Sequence, residues 1–281
     1  MDYILQTNGL TKRYRHFQAL NGLTMHIPKG AIYGLVGKNG AGKTTLKKLI
    51  LGIAKADSGT ITVLGCDNRK HFKYTKQYIG YVPDSGIFDE NYTLIKINKL
   101  MGGIYREWNE PLFLEYAKKF HLSLDQKIKE FSKGMKAKLS IMTAICHGAK
   151  LLIMDEPTTG LDPVARDEIV NILFEFTREE DCSVLISSHI VSDLEKLCDY
   201  ICLIDNGQIQ FIEEKDEILE KYVLCNCTME QYNDIPKEAV ISVENTNYSL
   251  KLILDKSKLN GIDLETEKTT LEDVLIHMIK E

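Results

Sequence analysis

The run Gly37-Lys38-Asn39-Gly40-Ala41-Gly42-Lys43-Thr44 satisfies the spacing G-x-x-x-x-G-K-[ST] at every fixed position, which is the pattern of a loop that cradles phosphate. Glycine at Gly37, Gly40 and Gly42 lets the main chain wrap an anion without Cβ clashes. The N–H groups of the loop, those of Asn39 and Ala41 among them, can then turn inward as a nest. Lys43 is placed to neutralise the β- and γ-phosphates of a nucleotide, and the Thr44 hydroxyl to ligand Mg²⁺. From average residue usage, chance alone would produce this pattern in roughly 1% of such chains. Far downstream, Leu151-Leu152-Ile153-Met154 ends in two adjacent acids, Asp155 and Glu156. Asp155 could share Mg²⁺ with Thr44, and Glu156 could polarise a water. His189 closes another apolar run, and Tyr14, upstream, offers a π-face on which adenine could stack.

These groups need a scaffold, and the pattern of apolar residues supplies one. Ala31 to Val36 reads as a buried strand before the loop, and Thr45 to Leu51 as a helix after it, with Leu46, Leu49 and Ile50 at helical spacing. Four apolar residues in a row at Leu151 to Met154 imply a central parallel strand buried on both faces. Ligands of such sheets bind outside the carboxyl ends of the strands, where Asp155 and Glu156 fall. Ser183 to Ser188 reads the same way and delivers His189. Pro163 suits the first turn of a helix, and Asn206-Gly207 marks a hairpin between 199–204 and 208–212.

Strands are expected at 3–7 and 23–27, separated by the basic and aromatic stretch Lys12 to Phe17, and again at 58–63 and 78–83. Residues 93–121 and 125–147 are mainly helical in pattern, with Leu112, Tyr116, Lys119 and Phe120 on one face, so a helical subdomain is placed at about 85–148. The charged run Glu213 to Lys221 sets a boundary between a domain at 1–214 and a small one at 215–281. In the latter, Tyr248, Leu250, Leu252 and Leu254 share a strand face, and Leu271, Val274, Leu275, Met278 and Ile279 form a helical stripe. Sixty-odd residues of this kind hold only a small core and show no catalytic constellation.

Composition narrows the function classes. The 281 residues are 44% hydrophobic and 27% charged, enough for a sizeable core. A net charge of −5 offers no basic field, so nucleic acid is not expected as a ligand. No run approaches ~18 apolar residues, and Met1-Asp2-Tyr3-Ile4 lacks the form of a signal peptide. A membrane role is therefore expected to pass through another chain. The seven cysteines (Cys66, Cys146, Cys182, Cys198, Cys202, Cys225 and Cys227) form no C-x-x-C pair and read as reduced, mostly buried thiols.

With the motifs in this order, the chain resembles the ATP-binding subunit of an ABC transporter. The specific mark is Phe131-Ser132-Lys133-Gly134-Met135, similar to the family signature L-S-G-G-Q, before a helix and shortly upstream of Asp155-Glu156. The resemblance spans residues 3 to about 212; the tail is loosely similar to the extension of single-domain bacterial exporter ATPases. It implies an α/β P-loop NTPase fold of the ABC ATPase type, with an antiparallel β subdomain, a helical subdomain and a small C-terminal α/β domain. By the same resemblance, Tyr14 stacks on adenine and Gly37 to Thr45 hold the phosphates of ATP. Asp155 holds magnesium, Glu156 is the catalytic base, His189 contacts the γ-phosphate, and Asp162 communicates across a dimer. Two ATP-binding subunits, identical or different, pack head to tail, so that Ser132 and Gly134 cap ATP bound at the other subunit's Lys43. The implied partner is a separate multi-helix membrane permease, the implied place the cytoplasmic face of the cell membrane, and the implied work transport in the export direction. A soluble relative acting on ribosomes or DNA is the alternative, and it would carry paired ATPase domains or a long coiled coil. Neither pattern is present.

Two departures from the family stand out. Asp84 follows Tyr81-Val82-Pro83 where the family has Gln. It makes a third candidate for the metal, one methylene shorter and, when ionised, unable to donate a hydrogen bond to a water. In the signature, Lys133 and Met135 replace Gly and Gln, while Ser132 and Gly134 are kept.

Overall fold

A computed structural model describes residues 2–178, 181–245, 249–259 and 264–280. The chain opens with a long hairpin, β1 (Tyr3–Tyr14) and β2 (Phe17–Pro28), and β3 (Ile32–Val36) leads through the glycine loop into α1 (Lys43–Ile50). Next come β4 (Ser58–Val63), β5 (Cys66–Asp67), the single turn α2 (Phe72–Thr75) and β6 (Ile79–Val82). The helices α3 (Leu94–Ile104), α4 (Glu110–Lys119) and α5 (Lys133–Ile145) follow, then β7 (Leu151–Asp155), α6 (Pro163–Thr177), β8 (Ser183–Ser187) and α7 (Val191–Leu197). A hairpin of β9 (Tyr200–Asp205) and β10 (Gln208–Glu214) precedes α8 (Lys215–Lys221). The tail contains β11 (Tyr222–Cys227), α9 (Met229–Asp234), β12 (Val240–Asn245), β13 (Leu250–Asp255), β14 (Thr266–Lys268) and α10 (Leu271–Lys280).

A six-stranded sheet runs β10-β9-β3-β8-β7-β6, parallel except for β10. All of β3 and β8 and four of the five residues of β7 are buried, as a sheet covered on both faces requires. Alternation sorts its side chains between two cores. Leu151 and Ile153 pack with Leu46, Leu49 and Ile50 of α1 and with the β1–β2 hairpin. Leu152 and Met154 pack with the helices on the other side. Helix α1 thus lies between the parallel sheet and the antiparallel sheet β2-β1-β4-β5.

Local expectations differ in three places. Lys12 to Tyr14 belong to β1 and Phe17 opens β2, with Arg15 at φ 51 making the turn, so the basic stretch expected between two strands is itself the hairpin end. In α4 the inward positions are Phe113 and Ala117, joined by Phe120. Lys119 faces out and pairs with Glu175 at 2.7 Å, because the apolar stripe is turned by one residue from the face expected. The charged run 213–221, expected to mark a domain boundary, is ordered as the end of β10 and then α8.

The tail sheet, β12-β13-β11-β14, is antiparallel. One face carries Cys225, Cys227, Leu250, Leu252 and Leu254, covered by Ile235, Ala239 and Leu259. Tyr248 lies outside the described residues, as does the side chain of Ile279. From the opposite face, Leu224 and Ile253 meet Leu271, Val274 and Leu275 of α10, and these are continuous with Leu194 and Leu197 of α7. All seven cysteines are free thiols, and all but Cys66 are buried.

Because Leu271 is fully buried in the shared core, Leu271→Ala is expected to cost about 2–5 kcal/mol and to lower the urea midpoint of the whole chain in one transition. A distinct early transition followed by circular dichroism would show instead that residues 215–281 unfold alone.

Candidate active site

Strand register assembles the site. Ser187 pairs with Leu35 on one side and with Asp155 on the other, so β3, β7 and β8 end at one level. The loops that leave these ends carry Gly37 to Gly42, Glu156 and His189. Gly40 at φ 85 and Gly42 at φ 115 hold left-handed conformations that a side chain would strain. A Cβ on Gly37 would lie 2.1 Å from the Ile204 carbonyl oxygen, and one on Gly42 2.7 Å from that of Ala19. Backing for the loop comes from the β9–β10 turn. Gly207 N–H donates to the Ala41 carbonyl at 2.9 Å, and Asn21 N–H to the Gly207 carbonyl at 2.9 Å. Asn206 and Gly207 both have positive φ, the geometry of a two-residue hairpin turn.

Lys43 is buried, and its ammonium folds back to donate to the carbonyls of Gly37 and, at 3.0 Å, Lys38. Burial lowers its pKa first and the neighbouring charge of Lys47 next, against the pull of Glu156 and Asp155. Thr44 is exposed and Thr45 half-buried on the first turn of α1. The first N–H groups of that helix have no intrahelical partner and suit an anion.

At the end of β7 the two acids diverge. Asp155 Oδ1 accepts from Ser187 Oγ at 2.9 Å and from the ammonium of Lys47; neither group engages Oδ2. Glu156 sits at φ 50, a region rarely used by non-glycine residues. Its carboxylate accepts from Thr159 Oγ1 and from the His189 N–H, each at 3.0 Å, and its other oxygen lies 3.3 Å from His189 Nε2. The His189 ring is otherwise open to solvent. Hard oxygen donors at Thr44 and Asp155 fit Mg²⁺. Among the described residues no three His, Cys, Asp or Glu side chains gather to hold a metal.

Lys47 and Ser187 were not among the expected site residues. The available signal was spacing, since Lys47 falls four residues after Lys43 and on the same helical face. Other expected groups lie apart from the loop. Ser132 is the N-cap of α5, accepting from Met135 N–H at 3.2 Å, and is exposed. Gly134 is buried, and a Cβ there would sit 3.0 Å from the Ala165 methyl, so α5 packs tightly on α6 at this position. Asp162 caps α6 through Ala165 N–H at 3.0 Å, a bond that holds its carboxyl below the ordinary range. Asp84 lines a cavity of about 220 Å³ with Lys133, Lys136, Ser140 and Glu156. Tyr14 ends β1, partly exposed, with Lys12 Nζ 5.2 Å from its ring centre.

A parallel sheet with a phosphate loop, a strand-end acid pair and a histidine in the loop after the neighbouring strand defines a P-loop ATPase. The ABC transporter family model matches residues 20–159. The ABC transporter ATP-binding protein YcbN of Bacillus subtilis, which is uncharacterized, is 33% identical over 99% of this chain and 98% of its own length. The Nod factor export ATP-binding protein I of Rhizobium sp. is 33% identical over 83% of this chain and 77% of its own. Among solved structures, an ATP-binding subunit of an ABC transporter superposes with a TM-score of 0.71 at 28% identity, covering 77% of this chain and 92% of that one. The chain belongs to the ABC transporter ATP-binding subunits, with their P-loop fold. It is an ATP-binding and hydrolysing subunit that powers transport.

Gly42→Ala puts a side chain against the Ala19 carbonyl at a left-handed φ. The expected outcome is loss of binding of a fluorescent ATP analogue by at least about tenfold, with a lower melting temperature. Unchanged binding would show that the loop has room behind it.

Proposed function

We propose that the chain hydrolyses Mg²⁺–ATP at sites shared between two copies or two related subunits, and so drives export through a separate membrane permease. What supports the chemistry most directly is the Glu156 carboxylate, held at one strand end by Thr159 and His189 beside Asp155. In this reading Tyr14 stacks on adenine, and the N–H groups from Gly37 to Thr45 surround the phosphates. Lys43 turns its ammonium from the loop carbonyls to the β- and γ-phosphates. Thr44 and Asp155 would hold Mg²⁺, which when bound would offset charge on the phosphate oxygens. Glu156 takes the proton of the attacking water as its oxygen bonds to the γ-phosphorus and the bond to the ADP oxygen breaks. His189 leaves Glu156 for the γ-phosphate, a move its exposed ring permits.

Ser132 and the free N–H groups at the start of α5 cap ATP held by the partner subunit, and Asp162 lies in the loop that reports across the dimer. No helix among the described residues is long and apolar enough to cross a membrane, in keeping with work delivered to another chain at the cytoplasmic face. Export is read from the Nod factor relative. Residues 1–214 form the ATPase unit in this scheme, and residues 215–281 act as a regulatory domain through α7. Asp84 serves coupling more than chemistry, since its cavity joins the end of β6 to α5.

Glu156→Gln is expected to keep nucleotide binding, slow turnover by roughly 10²-fold or more, and leave an ATP-bound dimer visible by size exclusion. Wild-type turnover in the purified variant would remove Glu156 as the base. Asp84→Asn is expected to leave basal ATPase activity within a few-fold of wild type while weakening stimulation by the membrane partner. A collapse of the basal rate would place Asp84 in the chemistry.

A further inference from the structure

Lys47 is a charged residue where α1 turns toward the interior. Its neighbours Leu46, Leu49 and Ile50 are buried, and Lys47 itself is only 3% exposed. An apolar side chain would satisfy that packing, so the charge needs a separate explanation. An ammonium is costly to bury unless it is paired and hydrogen-bonded. Here it donates to Asp155 Oδ1 and, at 2.7 Å, to Ser187 Oγ, which itself donates to Asp155 Oδ1 at 2.9 Å. The three groups close a triangle across the paired ends of β7 and β8.

Resting on the assignment of Asp155 to the metal, we propose that Lys47 is a built-in counter-ion that weakens the site's hold on a divalent cation and lets nucleotide bind with little help from it. Two cations, Lys43 and Lys47, stand within electrostatic reach of two carboxylates, Asp155 and Glu156, so these four groups together carry no net charge before anything binds. A divalent ion arriving at Asp155 meets a carboxylate already balanced and an ammonium hydrogen-bonded to it. A nucleotide arriving alone meets that same ammonium as a second positive charge behind Lys43. Removing the Lys47 charge therefore acts in opposite directions on the two ligands: metal binding tightens and metal-free nucleotide binding weakens. Mere loosening of α1 would weaken both.

The test uses the full chain and two readouts besides activity. Mn²⁺ is titrated by electron paramagnetic resonance in the presence of a non-hydrolysable ATP analogue, and a fluorescent ATP analogue is titrated in EDTA. For Lys47→Met, Mn²⁺ is expected to bind roughly tenfold tighter and the metal-free nucleotide several-fold weaker. Lys47→Gln, which removes the charge but keeps a donor for Ser187, is expected to move both in the same directions and stands in if the Met variant does not fold. Unchanged or weaker Mn²⁺ binding in these variants overturns the proposal. Asp155→Asn separates the two levels of the argument. If it leaves Mn²⁺ affinity intact, the assignment of Asp155 to the metal fails. If it abolishes Mn²⁺ binding while the Lys47 variants leave it unchanged, only the counter-ion role fails.

Discussion

In a parallel sheet the backbone hydrogen bonds set each strand's level against its neighbours, and here Leu35, Ser187 and Asp155 stand side by side across β3, β8 and β7. That alignment brings a glycine loop, an acid pair and a histidine to one edge, although long stretches of chain separate them. It holds because both faces of the sheet are buried in different cores. Side chains alternate with a period of two, so a one-residue slip of β7 would exchange Leu152 and Met154 with Leu151 and Ile153 between those cores. The cost of that exchange protects the site geometry. That edge is therefore maintained by packing of the residues beneath it.

Much of the fold could be read from local signals, because the signals that mattered were backbone requirements. The glycine loop, the apolar strands before Asp155 and His189, Pro163 at the start of α6 and the Asn206-Gly207 turn each restrict main-chain conformation within a few residues. The features that local signals do not carry depend on contacts between distant residues. The pairing of Lys47 with Asp155 depends on how α1 lies across the sheet. The tight packing at Gly134 appears only when α5 meets the Ala165 methyl of α6. In α4 the rotation of the inward face from Leu112 and Lys119 to Phe113 and Ala117 was set by the neighbouring helices. The tail followed the same rule, since the face with Leu250, Leu252 and Leu254 was visible in the alternation. That α10 would join the core of α7 was not.

The signature segment shows how one residue can answer to two constraints. Ser132 caps its own helix, an interaction complete within the chain, yet remains exposed at a helix start that suits anions. Gly134, buried in the first turn of the same helix, lets α5 and α6 approach closely. Substituting either would disturb the start of α5, so loss of activity alone does not assign them a role toward nucleotide.

The hairpin turn at Asn206-Gly207 carries a consequence for how this sequence can drift. Its Gly207 N–H braces the Ala41 carbonyl, its own carbonyl binds Asn21, and a Cβ at Gly207 would strike the Ala19 carbonyl at 2.6 Å. Three segments distant in sequence thus interlock with almost no spare volume behind the phosphate loop. A bulkier residue in any one of them would press on the other two. Grafting the 37–44 loop into another scaffold without residues 19–21 and 206–207 would move the motif but leave behind the walls that shape it.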